Sequence, residues 1–369
     1  MSIDSRCDRR QRWLQAATRQ NRHMANEAER LSQVKLNSNT LIWLDACDVQ
    51  TTRAAIQLAQ HLGATIHVGQ STGAHATKKV IASDGWLGTT LSEVAARADL
   101  ILTLGDGIRG EAPLLAERFF QSQTRSVQPH WVHISQHATV VEEPSAVAPH
   151  EVIHWPRQQW FDSLSQLALH LNSSVPVANA ASPAMAQLST RLLDATQAVW
   201  LWDVDELHFQ TDELIVRRML SIAKTLSERM RCNLLPMDLN VGRVTAEEVL
   251  LWLTGCPTTA MWDGSRWYRS PQYADYTLEQ WSSAFASIVL VRSLASDRSL
   301  PNLPANIIIQ TSPASQQHEF QVAAVGQDCS GHLFRGDRGV VLYAEATTSS
   351  ELPTAAELLT QLMENTVDN

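Results

Sequence analysis

From Thr40 onward, short runs of Ile, Leu and Val alternate with amphipathic segments of helical length. Runs such as Leu41–Ala46 and Asp99–Leu104 are apolar at successive positions, which predicts strands that are buried on both faces. Apolar residues at helical spacing predict helices over residues 51–62 and 246–254. Strands of this kind form parallel sheets whose connections are helices, so the pattern predicts an α/β protein built from β-α-β units.

Changes in this pattern divide the chain into five predicted segments. A small, polar, Pro-containing stretch interrupts the β-α-β pattern near the middle and predicts a linker or crossing loop. The segments are a basic N-terminal helical extension over residues 1–39, a first α/β domain over 40–171, the linker over 172–184, a second α/β domain over 185–345 and a C-terminal helix over 346–369. The two larger segments are interpreted as similar doubly wound parallel-sheet domains.

Charge and composition exclude several classes of protein. The chain has 38 acidic and 29 basic residues and a net charge of −9, which predicts that it does not bind nucleic acid. The longest apolar runs, such as Val249–Leu253, are far shorter than the roughly 20 residues that span a bilayer, and the first thirty residues lack the apolar stretch of a secretory signal. The five cysteines are scattered without a CxxC pair, which is typical of a reducing compartment. We therefore expect a cytoplasmic globular protein without a disulfide framework, a zinc site or a membrane partner.

One motif carries a possible phosphate-binding function. Gly105–Gly110 matches GxGxxG and lies between a predicted strand and a predicted helix, where backbone N–H groups can cradle a phosphate. A dinucleotide site also needs an acidic residue at the end of the next strand, which here ends Ile134-Ser135-Gln136. A tight turn is favoured over a nucleotide site, and a nucleotide-binding α/β protein remains one alternative function.

Histidines provide the other candidate ligands. His75 follows the second predicted strand, in a predicted loop at the edge of the sheet where α/β proteins usually bind ligands. His130, His133 and His137 have a metal-like spacing, but a strand would place the first two on opposite faces. No Ser-His-Asp elbow, HExxH or Walker motif is present, so the sequence predicts neither a metal ligand nor a catalytic residue.

Six segments together point to a known family. They are Leu58–Ala64, Ser71–His75, Glu93–Gly105, Leu235–Met237, Gly255–Pro257 and Val325–Asp337. They resemble segments of the B-type subunit of formylmethanofuran dehydrogenase, a member of the molybdopterin oxidoreductase superfamily. The resemblance covers about residues 40–345 and implies two doubly wound domains of the molybdopterin oxidoreductase type.

Three departures from the family lie at its redox site. Cys7 is the only cysteine in the region where the catalytic members have a cluster-binding cysteine motif. Gly73 stands at the position of their metal-ligating cysteine, with His75 offset by one from their histidine. Asp238 follows Pro236-Met237 where they have an arginine. The resemblance therefore implies that the molybdopterin or tungstopterin and the iron–sulfur cluster have been lost, and we expect no cofactor on this chain.

The same losses characterise the bacterial branch of the family, the formyltransferase/hydrolase complex. The resemblance implies a non-redox structural subunit of a complex that converts formyl-tetrahydromethanopterin to formate through a methanofuran-type carrier. Its implied partners are the formyltransferase and amidohydrolase subunits and a glutamate-synthase-like C-type subunit. An active molybdopterin-type oxidoreductase subunit with unusual ligands is the other alternative.

The implied vestigial cleft could still contact an anionic carrier. Its candidate contacts are His75, Gly105, Gly107, Arg109 and Arg335. For Arg335, an internal ion pair with Asp337 is the alternative interpretation.

Overall fold

The computed structural model describes residues 27–112, 128–137, 147–172, 182–207, 211–269, 277–296, 299–313 and 318–367, together with residues 115, 117, 119 and 316. Within these ranges, no helix combines the length and the apolar character needed to cross a membrane. Most of the predicted N-terminal extension, the predicted helix over 113–120 and most of the predicted linker lie outside the described residues.

Eleven helices and fourteen strands alternate along the described residues. The helices are α1 Glu27–Ser32, α2 Val49–Leu62, α3 Thr72–Asp84, α4 Leu91–Arg97, α5 Gly107–Glu111, α6 Trp160–Asn172, α7 Pro183–Asp194, α8 Asp212–Leu226, α9 Val241–Thr254, α10 Leu278–Ala284 and α11 Ala355–Val367. The strands are β1 Thr40–Ala46, β2 Thr65–Val68, β3 Leu100–Leu104, β4 His130–Ser135, β5 Glu151–His154, β6 Gln197–Asp203, β7 Arg231–Met237, β8 Thr259–Trp262, β9 Trp267–Tyr268, β10 Ser287–Arg292, β11 Ile307–Gln310, β12 Glu319–Gln321, β13 Gly331–Phe334 and β14 Val341–Ala344. The predicted α/β class is confirmed.

Two sheets organise the chain, each in its own compact unit. Unit 2, residues 70–239, contains a five-stranded sheet in the order β5-β4-β3-β6-β7, with all strands parallel. Unit 1, residues 1–69 and 240–369, contains a seven-stranded sheet in the order β12-β11-β10-β1-β2-β8-β9, in which the last two strands are antiparallel. Strands β13 and β14 form a separate antiparallel ribbon in unit 1.

Alternate residues of each central strand enter different hydrophobic cores. In β3, Leu100, Leu102 and Leu104 belong to one core of unit 2, while Ile101 belongs to another. The alternating residues of β1 divide in the same way between the two cores of unit 1. Both faces of each sheet are therefore covered, which explains why the strand sequences are continuously apolar.

The domain boundaries differ from the predicted ones. We predicted two consecutive domains over 40–171 and 185–345, but β1 pairs with β10 and β2 pairs with β8, so the first two strands join a sheet formed mainly by the last third of the chain. Unit 2 is inserted between the two segments of unit 1. Residues 346–369 are also part of unit 1, where Leu358, Leu359 and Leu362 of α11 lie in the core. The prediction failed because it assumed that neighbouring strands in the sequence share a sheet.

The predicted loop at Ser71–His75 is instead the beginning of a helix. The Ser71 hydroxyl accepts a hydrogen bond from the Ala74 N–H at 3.2 Å and caps α3. An N-terminal serine cap is a strong helix-start signal. His75 therefore lies in the first turn of α3.

Candidate functional site

The order of the unit 2 strands marks one edge of its sheet as a candidate binding site. Connections from β3 lead outward to β4 and β5 on one side, and β6 and β7 lie on the other side. Ligands of open α/β sheets bind beyond the carboxyl ends of the strands where the order reverses, here between β3 and β6. Gly105–Gly107 follows β3 at this point, and a short 3-10 turn over Val204–Glu206 follows β6.

Glu206 occupies the glycine loop from within the protein. Its Oε1 atom accepts a hydrogen bond from the Asp106 backbone N–H at 2.8 Å. A Cβ atom added to Gly105, whose φ is +83°, would lie 2.1 Å from Oε2 of Glu206. A Cβ on Gly107 would lie 2.9 Å from the Cβ of Asp203. The two glycines are thus required by the close approach of the 203–206 turn, and a phosphate in this loop would have to displace the Glu206 carboxylate.

The environment of Glu206 favours its neutral form. Burial raises the pKa of Glu206 from 4.5 to about 7, despite hydrogen bonds from the Gly107 and Asp106 backbone that lower it. The negative charges of Asp203 and Asp106 raise the pKa further. Arg157 is the nearby cation, with its guanidinium 3.9 Å from Oε1 of Glu206.

A buried hydrogen-bond chain supports the other side of the loop. Nε2 of His133 donates to Oδ1 of Asp106 at 3.0 Å, and Nδ1 of His133 lies 2.9 Å from Oγ1 of Thr103. The indole N–H of Trp131 donates to the same Thr103 oxygen at 3.0 Å. Burial raises the pKa of Asp106, but hydrogen bonds from His133, Ser135 and the Gln136 backbone, together with the electrostatic interaction with His133, hold the pKa below 3.8.

This hydroxyl–imidazole–carboxylate chain has the connectivity of a nucleophilic triad but not its accessibility. Thr103 is 3% exposed and His133 is fully buried, so a substrate carbonyl cannot reach the hydroxyl. The chain instead fixes the Gly105–Gly107 loop to β4. In the described residues, no group of three or more His, Cys, Asp or Glu side chains could hold a metal ion.

Position 73 in α3, which the resemblance aligns with the metal-ligating cysteine, has no room for a side chain. Gly73 packs against the turn that follows β6, and a Cβ atom there would lie 2.1 Å from the Val204 carbonyl oxygen and 2.5 Å from the Cβ of Leu207. Asp238, which directly follows β7, is 3% exposed. Gly73 has no side chain that could hold a metal, and position 238 has an aspartate in place of an arginine. These two described residues therefore do not fit the redox site that the family has.

The predicted carrier contacts belong to both units. Gly105, Gly107 and Arg109 lie together in unit 2, where the Arg109 guanidinium stacks 6.0 Å from the Trp131 ring. His75 also lies in unit 2. Arg335 lies in unit 1, where it forms a bidentate pair with Asp337 at 2.6 Å. That pair is the alternative expected for Arg335, and carrier binding by the five residues stays a prediction.

Unit 1 has a corresponding edge where its strand order reverses between β1 and β10. There the Arg292 guanidinium lies 2.6 Å from the Asp45 carboxylate, and the Ser293 hydroxyl donates to Asp48 at 2.9 Å. Asp48 also caps α2 by accepting from the Gln50 and Thr51 N–H groups. At this edge, the polar side chains bond to groups of the same unit, as the Glu206 carboxylate does at the edge of the unit 2 sheet.

Sequence reasoning missed Glu206 as the residue that fills the glycine loop. The available signal was the acidic run Asp203-Val204-Asp205-Glu206 immediately after an apolar strand. Acidic residues that follow a strand lie at the ligand-binding edge of a parallel sheet. What the run did not reveal was that β6 neighbours β3.

No family model matches this chain. It is 26% identical over 339 residues to the B-type subunit of the formyltransferase/hydrolase complex Fhc of Methylorubrum extorquens, and the match covers 88% of this chain and 89% of that subunit. This chain is similar to the B-type subunit of Fhc. The resemblance to the bacterial branch that the sequence predicted is thereby confirmed.

A solved structure agrees with this similarity. A chain from the X-ray crystal structure of the Methylorubrum extorquens formyltransferase/hydrolase complex FhcABCD, in complex with methylofuran, has a TM-score of 0.73 to this chain at 22% identity. The match covers 92% of this chain and 94% of that chain, so the two share the fold over nearly their whole lengths.

Proposed function

We propose that this chain is a non-redox structural subunit of a formyltransferase/hydrolase complex. The observation that carries the proposal is the similarity to the B-type subunit of Fhc along 88% of this chain and 89% of that subunit. The complex would convert formyl-tetrahydromethanopterin to formate through a methanofuran-type carrier in the cytoplasm. Formyltransferase, amidohydrolase and glutamate-synthase-like subunits would be its partners, and the chemistry would lie on the first two.

Gly73 supports the non-redox part of the proposal. A metal-ligating side chain at this position would collide with the Val204 carbonyl oxygen, because the two backbones are in direct contact. The buried Asp238 also places a carboxylate where the family attracts its anionic substrate with an arginine. We therefore propose that the pterin and the iron–sulfur cluster are absent from this chain.

A structural subunit needs a surface for its partners, and unit 1 offers an apolar one. The β14 strand exposes Val341 and Tyr343, which share one face of the ribbon, by 42% and 61%, and Trp252 at the end of α9 is 64% exposed. The Trp252 ring packs against Phe334 of β13 at 4.9 Å, which joins the helix and the ribbon in one surface. Exposed apolar patches of this kind mark protein–protein interfaces.

Purification from the native host tests the proposal. The tagged full-length chain is isolated under gentle conditions, co-purifying proteins are identified by mass spectrometry, and W, Mo and Fe are measured in the same sample. We expect formyltransferase and amidohydrolase subunits without stoichiometric metal. A monomer that carries W or Mo would contradict the proposal.

Paired variants connect the result to the apolar surface. Tyr343→Glu combined with Val341→Glu places charge on the face of the ribbon that carries Phe334 and should reduce the recovery of the partners. Leu169→Glu, at a 67% exposed leucine on α6 in unit 2, makes the same type of change outside that surface and should leave recovery unchanged. Equal recovery with all of these variants would place the interface elsewhere.

A further inference from the structure

A shallow cleft of about 660 Å³, widely open to solvent, lies in unit 2 at the amino ends of β6 and β7. Its polar lining includes Arg97, Gln197, Glu228, Arg229 and Arg231. The Glu206 loop lies at the carboxyl ends of the same parallel strands, so this cleft is separate from the candidate site described above.

Positive charge predominates among the residues that line the cleft. The lining residues include three arginines, Arg97, Arg229 and Arg231, and one glutamate, Glu228. The Asp99 carboxylate lies beside them. Arg97 has a distant exposed partner, Glu93, at 3.9 Å. In the part of the chain that the structure describes, Arg229 and Arg231 form no ion pair. Their two guanidinium groups are therefore available to an anionic ligand.

Gln197, one of the residues that line the cleft, has a buried amide donor with no acceptor within the described structure. Gln197 is 5% exposed, and its Nε2 atom has no hydrogen-bond partner among the described residues. The nearby Asp99 carboxylate is already bonded to the Thr196 N–H at 2.8 Å and the Gln197 backbone N–H at 2.9 Å. An amide donor left buried and unsatisfied costs free energy, so an acceptor from a ligand would stabilise it.

The sheet register places Gln197 beside one of the arginines, Arg231. The β6–β7 ladder pairs Gln197 directly with Arg231, which places their side chains on the same face of the sheet. Arg229 lies two residues before, in the segment that joins α8 to β7. An amide N–H donor beside two unpaired guanidinium groups suits the oxygens of a phosphate or a carboxylate.

We propose that this cleft binds a small oxyanionic ligand, a phosphate or a polycarboxylate, through Arg229, Arg231 and the Gln197 amide. The proposal does not depend on the function proposed above, since it concerns the opposite edge of the unit 2 sheet. Guanidinium groups pair with the anion, and Nε2 of Gln197 donates to one of its oxygens.

Isothermal titration calorimetry of the full-length chain tests the proposal. Inorganic phosphate and citrate are titrated separately at constant ionic strength. Saturable binding of phosphate supports a phosphoryl ligand, and saturable binding of citrate supports a polycarboxylate. If neither anion binds saturably, the proposal is wrong.

Variants then assign the binding to the cleft. Arg229→Gln and Arg231→Gln should each weaken binding by roughly tenfold or more, since each removes a charge-assisted hydrogen bond. Arg53→Gln removes the same charge from an exposed position on α2 and should bind as the wild type does. Equal affinity in all three variants would show non-specific anion binding and overturn the proposal.

Gln197→Met separates binding from folding. Because Nε2 has no acceptor in the described structure, its removal should weaken anion binding without lowering the unfolding temperature of the ligand-free chain. A loss of unfolding temperature with unchanged anion affinity would show a purely structural role for Gln197 and contradict its assignment as a ligand donor.

Discussion

At the scale of single residues, the Glu206 carboxylate occupies the place in the glycine loop where a phosphate would bind. The motif at Gly105–Gly107 has the spelling of a phosphate loop, but an N–H group in it already donates to a carboxylate of the same chain. Its glycines are needed because the turn that carries Glu206 approaches within van der Waals contact. Glycine is therefore needed in this loop for the close packing of the turn and not for the approach of a ligand.

Glu206 should also make stability depend on pH. Because its pKa is raised from 4.5 to about 7 in the folded chain, the folded state binds the proton more tightly than the unfolded state does. The free energy of unfolding should fall as pH rises from about 4.5 to about 7, and the deficit should persist above that pH. Glu206→Gln cannot ionise, so we expect it to be more stable than the wild type at pH 8, by at most ~3 kcal/mol, with little difference at pH 4.5.

Urea unfolding at these two pH values measures the effect. Glu345→Gln makes the same substitution at an exposed glutamate and is the matched control. A Glu206→Gln variant whose difference from the wild type is the same at both pH values would show that Glu206 does not titrate in this range.

Gly73 provides a second residue-level prediction. Gly73→Ala improves helix propensity by about 1 kcal/mol, but its methyl group would lie 2.1 Å from the Val204 carbonyl oxygen. We expect a net loss of about 1–3 kcal/mol in the free energy of unfolding. Gly110→Ala in α5 meets no atom within 4 Å and should be neutral or stabilising by up to ~1 kcal/mol. Equal stability of the two variants would mean that α3 does not pack closely against the 204–207 turn.

At the scale of elements, Arg338 holds the β13–β14 ribbon against helix α9. It lies in the turn between the two strands with a φ of 60°, which is unfavourable for a residue with a side chain. Its guanidinium bonds to both Glu247 and Glu248 of α9. These ion pairs offset the backbone strain and position the apolar surface of the ribbon.

Removing these ion pairs should loosen the ribbon. Arg338→Ala should accelerate amide hydrogen exchange in β13 and β14 and lower stability by about 1–2 kcal/mol, a value reduced because the arginine is partly exposed. Arg338→Gly separates the two effects, since glycine adopts the positive φ readily and should lose less stability. Arg266→Ala removes an exposed pair with Asp263 and should leave exchange in the ribbon unchanged. Unchanged exchange in Arg338→Ala would show that the ion pairs do not hold the ribbon.

Element boundaries show where local signals were sufficient. Helix α2 ends at Leu62, the predicted end, and is capped by Gly63 with a φ of 67°, because a glycine stop is a local feature. Helix α9 begins at Val241 and not at the predicted Ala246. The side chain of Asn240 caps it by accepting from the Arg243 N–H at 3.1 Å. The capping residue was in the sequence, but the prediction followed the apolar spacing alone and began one turn late.

At the scale of the whole molecule, the insertion of unit 2 into unit 1 predicts different folding behaviour of fragments. Residues 70–239 contain all five strands of one sheet and both of its cores. We expect this fragment to show a cooperative thermal transition and a dispersed amide NMR spectrum. Residues 240–369 lack the central strand β1 and its neighbour β2, so this fragment should be unfolded alone.

Co-expression provides the control for the fragments. Residues 1–69 supplied together with 240–369 restore every strand of the unit 1 sheet and should recover the folded spectrum. Independent folding of 240–369 by itself would show that the discontinuous unit does not need β1, and would contradict the division of the chain.

The sequence by itself determined the features that depend on local pattern and residue type. Continuous apolar runs specify strands buried on both faces, because each residue of such a strand needs an apolar environment. The sequence also shows that position 73 is a glycine and position 238 is an aspartate, and this does not depend on the fold. The tertiary structure decided which strands pair, that Glu206 fills the Gly105 loop, and that Gln197 lies beside Arg231. Those relations join residues 34 to more than 200 positions apart, for instance Gln197 with Arg231 and Thr40 with Ser287. They follow from the burial of many side chains at once, which local sequence does not specify.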